Sequence, residues 1–254
     1  MLLHKLGGQV KQYNMPAYDY CYMDLIYKGS ARALSDVFGD CTALTGNFKG
    51  KRLYDFSTSC IIHQLMIAHE FYPEITIMKI DEASIKEVDK WLQSDPGAFD
   101  WTYAYNYVKQ IKGNSDLNVE ENLKKSIKQT LRIDFYKDNL TDPVVLEQAD
   151  CIVTGWLSEV ICKDKNEYIK CFQKITKLLK PGGLLILMEC LNGTFFDVGK
   201  EKYRIFKHDE RFLRDNLANE GFKIVFCKVL DSKIVSPLTD YEQMIFVAAV
   251  KETS

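Results

Sequence analysis

From residue 50 onward, short apolar runs alternate with stretches whose apolar positions recur every three or four residues. These are the periods of strands and helices. Leu53 to Phe56 predicts a short strand after Gly50, and Ile75 to Ile80 a strand of β-branched residues. Ile61 to Phe71 predicts an apolar helix ended by Tyr72-Pro73. Glu82 to Leu92 predicts a helix with Asp81 as its N-cap, followed by an Asp95-Pro96-Gly97 turn. Trp101 to Ile111 predicts a helix, 112–118 a polar break, Val119 to Gln129 a further helix and Thr130 to Phe135 a strand. Ala149 to Thr154 is a nearly continuous apolar strand. Lys165 to Leu179 predicts a helix stopped by a Lys180-Pro181-Gly182-Gly183 turn. Gly183 to Cys190 lacks alternation, as a strand covered on both faces should. Asp209 to Glu220 predicts a helix ended by Gly221. Phe222 to Leu230 and Gln243 to Val250 are strands whose short connection makes them antiparallel.

Strand–helix repetition closed by an antiparallel pair predicts an α/β fold: a mostly parallel sheet with helices on both faces. No composition shift divides the chain, so residues 1–254 are expected to form one domain. Within it, 50–250 form the α/β core and the tyrosine-rich residues 1–49 a helical cap or lid.

Composition narrows the function classes. The 254 residues carry 33 Lys plus Arg against 35 Asp plus Glu, a formal net charge of -2. The signs are interleaved, without the clustered basic patch of a dedicated nucleic-acid binder. The apolar run 183–191 is too short to span a bilayer, and no segment near Met1 reads as a signal peptide. None of the eight cysteines forms a C-x-x-C pair, and the four histidines show no ligand spacing with them. Reduced thiols, no metal site and a cytoplasmic location are the expectation. The sequence does not address the oligomeric state.

In such sheets ligands bind beyond the carboxyl ends of the strands, where strand order reverses. That selects the loops 57–60, 79–84, 134–135, 154–159 and 189–193. Several stretches then become specific: Lys90-Trp91-Leu92 with Ala98-Phe99-Asp100-Trp101, Ala149-Asp150-Cys151, and Leu178-Leu179-Lys180-Pro181-Gly182-Gly183, together with Asn14 and Tyr18. From about residue 13 to 250 the chain resembles the nicotinamide, indolethylamine and phenylethanolamine N-methyltransferase family. The resemblance implies a class I methyltransferase (Rossmann-like) fold with a seven-stranded sheet. It also implies S-adenosyl-L-methionine (SAM) as cofactor and a small amine or aromatic N-heterocycle as methyl acceptor.

On the cofactor side the resemblance points to Tyr18, Ser57, Thr58, His63, Lys79, Ser84, Asp134, Phe135, Thr154 and Gly155. On the acceptor side it points to Trp156, Glu189, Gly193 and Phe196, with Glu189 the candidate catalytic residue, orienting the amine or serving as a general base. Asp134 and Phe135 match a pair that contacts adenine, and Tyr18 a tyrosine that closes over the cofactor; Met23 stands where a second such tyrosine would be. The chain also departs from the family. Ser57-Thr58-Ser59-Cys60 replaces a Gly-x-Gly loop, whose glycines permit positive φ and a close backbone approach. Lys79 replaces the acid that accepts hydrogen bonds from the ribose hydroxyls, and lysine is donor-only. Lys79 is then either a solvated strand-end charge or a contact to a phosphate or carboxylate of a changed ligand; Asp81 or Glu82 could stand in for the missing acid. Gly193 and Ile205 replace serines of nicotinamide-specific members, and Phe196 a tyrosine, so a less polar acceptor than nicotinamide is expected. Three readings stay open: a divergent small-molecule N-methyltransferase, a methyltransferase-fold binding protein that no longer uses SAM, and a protein binding a different nucleotide.

Overall fold

The computed structural model describes residues 35–36, 48–198, 201–232 and 237–253. Asn14, Tyr18, Met23 and nearly all of the expected N-terminal cap lie outside them. Seven strands form one sheet: β1 (Arg52–Asp55), β2 (Glu74–Lys79), β3 (Ile127–Arg132), β4 (Ala149–Gly155), β5 (Leu179–Leu191), β8 (Phe222–Asp231) and β9 (Gln243–Lys251). Their order is β3-β2-β1-β4-β5-β9-β8. The first five run parallel, whereas β9 pairs antiparallel with both β5 and β8. Strand order reverses between β1 and β4, so the crevice of such sheets opens beyond Asp55 and Gly155.

The unalternated run in β5 is explained by two buried clusters, one on each face. Leu184, Ile186 and Met188 join Leu53, Ile75, Ile77 and Val153. That face is covered by α1 (Leu65–Ala68), α2 (Glu82–Leu92), α3 (Thr102–Lys112) and α4 (Val119–Ser126). Leu185 and Leu187 join Tyr54, Ile152 and Val247 under α6 (Lys165–Thr176) and α7 (Glu210–Asn219). Asp150 clamps the lower edge: its carboxylate accepts from the Lys51 and Arg52 amides at 2.9 Å each and from Lys180 Nζ at 2.5 Å.

Local signals set several boundaries as expected. Asp81 caps α2 by accepting from Ser84 N, and Gly221 follows α7 at φ 73. Other expectations are corrected. The helix expected over 61–71 is only α1, because the preceding turn closes through i→i−3 bonds, Leu65 N to Ile62 O and Met66 N to His63 O. β3 begins at Ile127 and ends at Arg132, so Asp134 and Phe135 lie in the loop beyond it. The Lys180-Pro181-Gly182-Gly183 segment lies within β5 as an irregularity: Ala149 pairs with Leu179 and Cys151 with Leu184. Gly182 takes φ 75 there, which glycine adopts without a Cβ penalty. The short helix α5 (Ser158–Ile161) and the hairpin β6 (Phe195–Val198) with β7 (Glu201–Arg204) were not anticipated.

Candidate functional site

Beyond β1 the chain continues alongside β4. Phe56 N bonds Val153 O at 2.7 Å and Thr58 N bonds Gly155 O at 2.9 Å. Ser57 is thereby held in the sheet crevice, 1% exposed, with its hydroxyl donating to Asp55 Oδ1 at 2.7 Å. A Cβ at Gly155 would meet that hydroxyl at 3.0 Å, so Ser57 fills the space beside the glycine. Ser59 adopts φ 53. The turn thus demands positive φ at one position and obtains it from serine, at a cost of about 1–2 kcal/mol.

Lys79 is neither a solvated strand-end charge nor a contact pointing out to a ligand. It is 2% exposed and turns back under the β1 loop. Its ammonium donates to Ser57 O at 2.8 Å and lies 3.4 Å from Asp55 Oδ2. Gln64 Nε2 donates to Asp55 Oδ1 at 2.9 Å. A buried carboxylate and a buried ammonium therefore satisfy one another, as burial of charge requires. Asp81 serves as the α2 cap, its two oxygens accepting from the amide and hydroxyl of Ser84 at 2.8 Å each. Ser84 is in turn committed to that cap.

Asp134 sits just past the ends of β2 and β3, where Ile133 N bonds Lys79 O at 2.8 Å. Its Oδ1 accepts from Tyr136 N, forming a tight turn. The Phe135 carbonyl is held by Lys174 Nζ at 2.8 Å, fixing this loop to α6. Thr154 is buried, and its hydroxyl makes no hydrogen bond.

Trp156, at φ 55, is an aromatic residue in the left-handed region, an expensive conformation that its surroundings must enforce. Its amide bonds Met188 O at 2.9 Å. Its ring lies 6.1 Å from His63, which lies 6.4 Å from Trp101. Burial in this aromatic cluster lowers the His63 imidazole to about 3, so it is neutral.

On the acceptor side Glu189 is 1% exposed, and Tyr168 Oη donates to its two oxygens at 2.7 and 2.9 Å. His208 Nε2 lies 2.8 Å from Glu189 Oε2. Glu159, on α5, accepts from Cys190 N at 3.0 Å and approaches the same group. Burial, and then the Glu189 charge, push the Glu159 carboxyl well above the usual range. Burial alone would lower His208, but the Glu189 carboxylate outweighs it and raises the imidazole to about 9. Gly193 and Ile205 do meet: a Cβ at Gly193 would stand 2.9 Å from Ile205 Cδ1. Phe196 lies on β6 and stacks on Tyr203, ring centroids 5.3 Å apart.

The fold thus brings together Ser57, Gly155 and Lys79, His63 and Trp156, and Gly193 with Ile205. Tyr18 lies outside the described residues. Asp55, Gln64, Glu159, Tyr168 and His208 were missed as site residues. A lysine ending the apolar run of β2 was the one available signal for the first of these clusters.

This geometry sits at the switch point of a 3-2-1-4-5-9-8 sheet, and sequence comparison supplies its kinship. The NNMT/PNMT/TEMT family model matches residues 11–252. The chain belongs to this family. Human nicotinamide N-methyltransferase is 28% identical over 205 residues, covering 80% of this chain and 78% of that protein. Rabbit (Oryctolagus cuniculus) indolethylamine N-methyltransferase is 30% identical over 181 residues, 70% of this chain and 69% of that protein. Among solved structures, a SAM-dependent methyltransferase from Methanosarcina mazei superposes with a TM-score of 0.55 at 13% identity, covering 81% of this chain and 94% of that one. The fold is the class I methyltransferase fold. Lys79 ends β2, beside the switch-point crevice.

Tested against SAM, the two ends of that crevice differ. Where the resemblance expects adenine, Asp134 offers a carboxylate, and Thr154 has an unused buried hydroxyl. Lys79, where the resemblance expects an acid toward the ribose, presents donors only, and its ammonium is held by Ser57 O and Asp55.

Proposed function

We propose that the chain is a SAM-dependent N-methyltransferase acting on a small amine or aromatic N-heterocycle. The family match over residues 11–252, joined to a switch-point crevice beyond β1 and β4, carries this reading. Asp134, Phe135, Thr154 and the main chain at Ser57, Thr58 and Gly155 are the cofactor-side residues, with His63, Ser84 and Tyr18 supporting them. Trp156, Glu189, Gly193 and Phe196 are the acceptor-side residues. The Ile205 methyl packed on Gly193 favours an acceptor without an amide, because a buried polar group left unpaired is costly. Methyl transfer needs the acceptor nitrogen aligned and water excluded more than it needs a base. The buried tryptophans and His63 supply such an enclosure. The whole chain acts as one domain, and its free described cysteines suit a reducing cytoplasm.

A second reading rests on the Lys79–Asp55 pair: a methyltransferase-fold binding protein whose cofactor crevice is closed by its own ion pair. Calorimetric titration with SAM and S-adenosylhomocysteine separates the two. Saturable heat supports the enzyme, and methylation of a panel of amines and pyridines then defines the acceptor. No heat at millimolar ligand overturns the enzyme reading and leaves the second.

A further inference from the structure

A groove of about 220 Å³ lies between α6 and α7, lined by side chains of both helices. None of its residues belongs to the crevice or to the acceptor side. Asn216, in its wall, is out of keeping with its place. The inner stripe of α7 is Leu213, Asn216 and Leu217, all three buried, with Asn216 only 4% exposed. An amphipathic helix puts apolar residues on that stripe, and asparagine is a weaker helix former than leucine. Asn216 Nδ2 is shut off from water and has no acceptor among the described residues. A buried donor left without a partner costs the fold the full desolvation of that group. The groove is the side from which the missing acceptor can come.

The charges around the groove define what would bring it. Asp209 is spent as the α7 cap, accepting from Phe212 N at 2.8 Å. Asp215 lies 3.8 Å from Arg211 Nε, so those two charges offset each other. Lys165 is left over: its ammonium stands over the Phe212 ring, 5.5 Å from the centroid, rather than against a carboxylate. Ile169 and Phe212 supply an apolar wall. The Phe212 ring is itself held edge-on to Tyr168, centroids 5.2 Å apart, so the wall is firm.

We infer that this groove binds a small apolar carboxylate. An oxygen of the ligand accepts from Asn216 Nδ2, Lys165 balances its charge, and its body lies against Ile169 and Phe212. A phosphate would leave the apolar wall uncovered, and a cationic amine would leave Nδ2 without an acceptor. The volume is below the ~300–1,000 Å³ usual for drug-sized ligands, which keeps the ligand small. The site is independent of the methyl-transfer reading, and its test uses no SAM.

The full-length protein, labelled with nitrogen-15, is titrated with sodium benzoate at constant ionic strength and followed by its amide resonances. Saturable shifts are expected at the Asn216 side-chain amide and at the Phe212 backbone amide, and benzylamine should leave both unmoved. Lys165→Gln and Asn216→Leu should each weaken benzoate binding about tenfold, the loss of one charged or hydrogen-bonded contact. Asn216→Leu exchanges an unpartnered polar group for an apolar one, so its Tm should equal or exceed that of the parent, and weaker binding there is not loss of fold. No saturable shift in the parent at tens of millimolar benzoate overturns the proposal. So do equal shifts with benzylamine, or benzoate binding that is unchanged in both variants.

Discussion

Lys79 couples the ends of β1 and β2 through a charge that has no exit to water. Removing one partner strands the other, at a cost of about 3–5 kcal/mol. Lys79→Met should therefore lower the urea midpoint strongly, and adding Asp55→Asn should restore much of the loss. Strict additivity of the two changes in a double-mutant cycle would show that they do not act as a pair. Gly193 makes a second residue-scale case. Its missing Cβ is replaced by Ile205 Cδ1 at 2.9 Å, with Tyr241 Cβ at 3.1 Å. Gly193→Ser should cost about 1–3 kcal/mol by overpacking, and Ile205→Ala in the same chain should relieve part of it. Equal thermal stability of Gly193→Ser and parent would contradict this packing.

At the scale of elements, helix ends were legible because caps are local chemistry. Asp81 was readable as the α2 cap, Asp209 begins α7 by accepting from Phe212 N, and Gly221 follows α7. Asp81→Ala should lower stability by about 1 kcal/mol, seen as a reduced Tm and reduced protection of the first-turn amides of α2 in hydrogen exchange. Unchanged amide protection would mean that the cap is not what holds the turn. The errors lay where neighbours decide. Lys180 to Gly183 reads as a turn in isolation, but the Ala149–Leu179 and Cys151–Leu184 pairings with β4 flank it and carry β5 across it. The β6–β7 hairpin escaped because only two strands of four residues each carry it.

The pH response belongs to the whole molecule, because His63 is neutral only while the fold encloses it. Its folded value of about 3 lies below the ordinary 6.5, with burial as the cause. The unfolded chain takes up a proton below pH 6.5 that the folded chain refuses. The His63 contribution is thus fully present above that pH and is lost as pH falls toward 3, at about 1.4 kcal/mol per pH unit. Urea unfolding across pH 4–7 should show this slope, and His63→Phe should flatten it relative to the parent. Parallel slopes in the two proteins would refute the assignment. Among the described residues no helix is long and apolar enough to cross a membrane.

Periodicity, caps and the doubly apolar β5 run were enough to determine the seven strands of the main sheet in chain order and its mostly parallel character, because these depend on neighbours a few residues away. Motif residues likewise located the family. Only the tertiary structure decided where Lys79 points, which serine fills the space beside Gly155, and that Glu159, Glu189 and His208 share one buried point. Each of these is set by packing between strands and helices remote in sequence, where a charged group must find its partner within a few ångströms or not be buried at all.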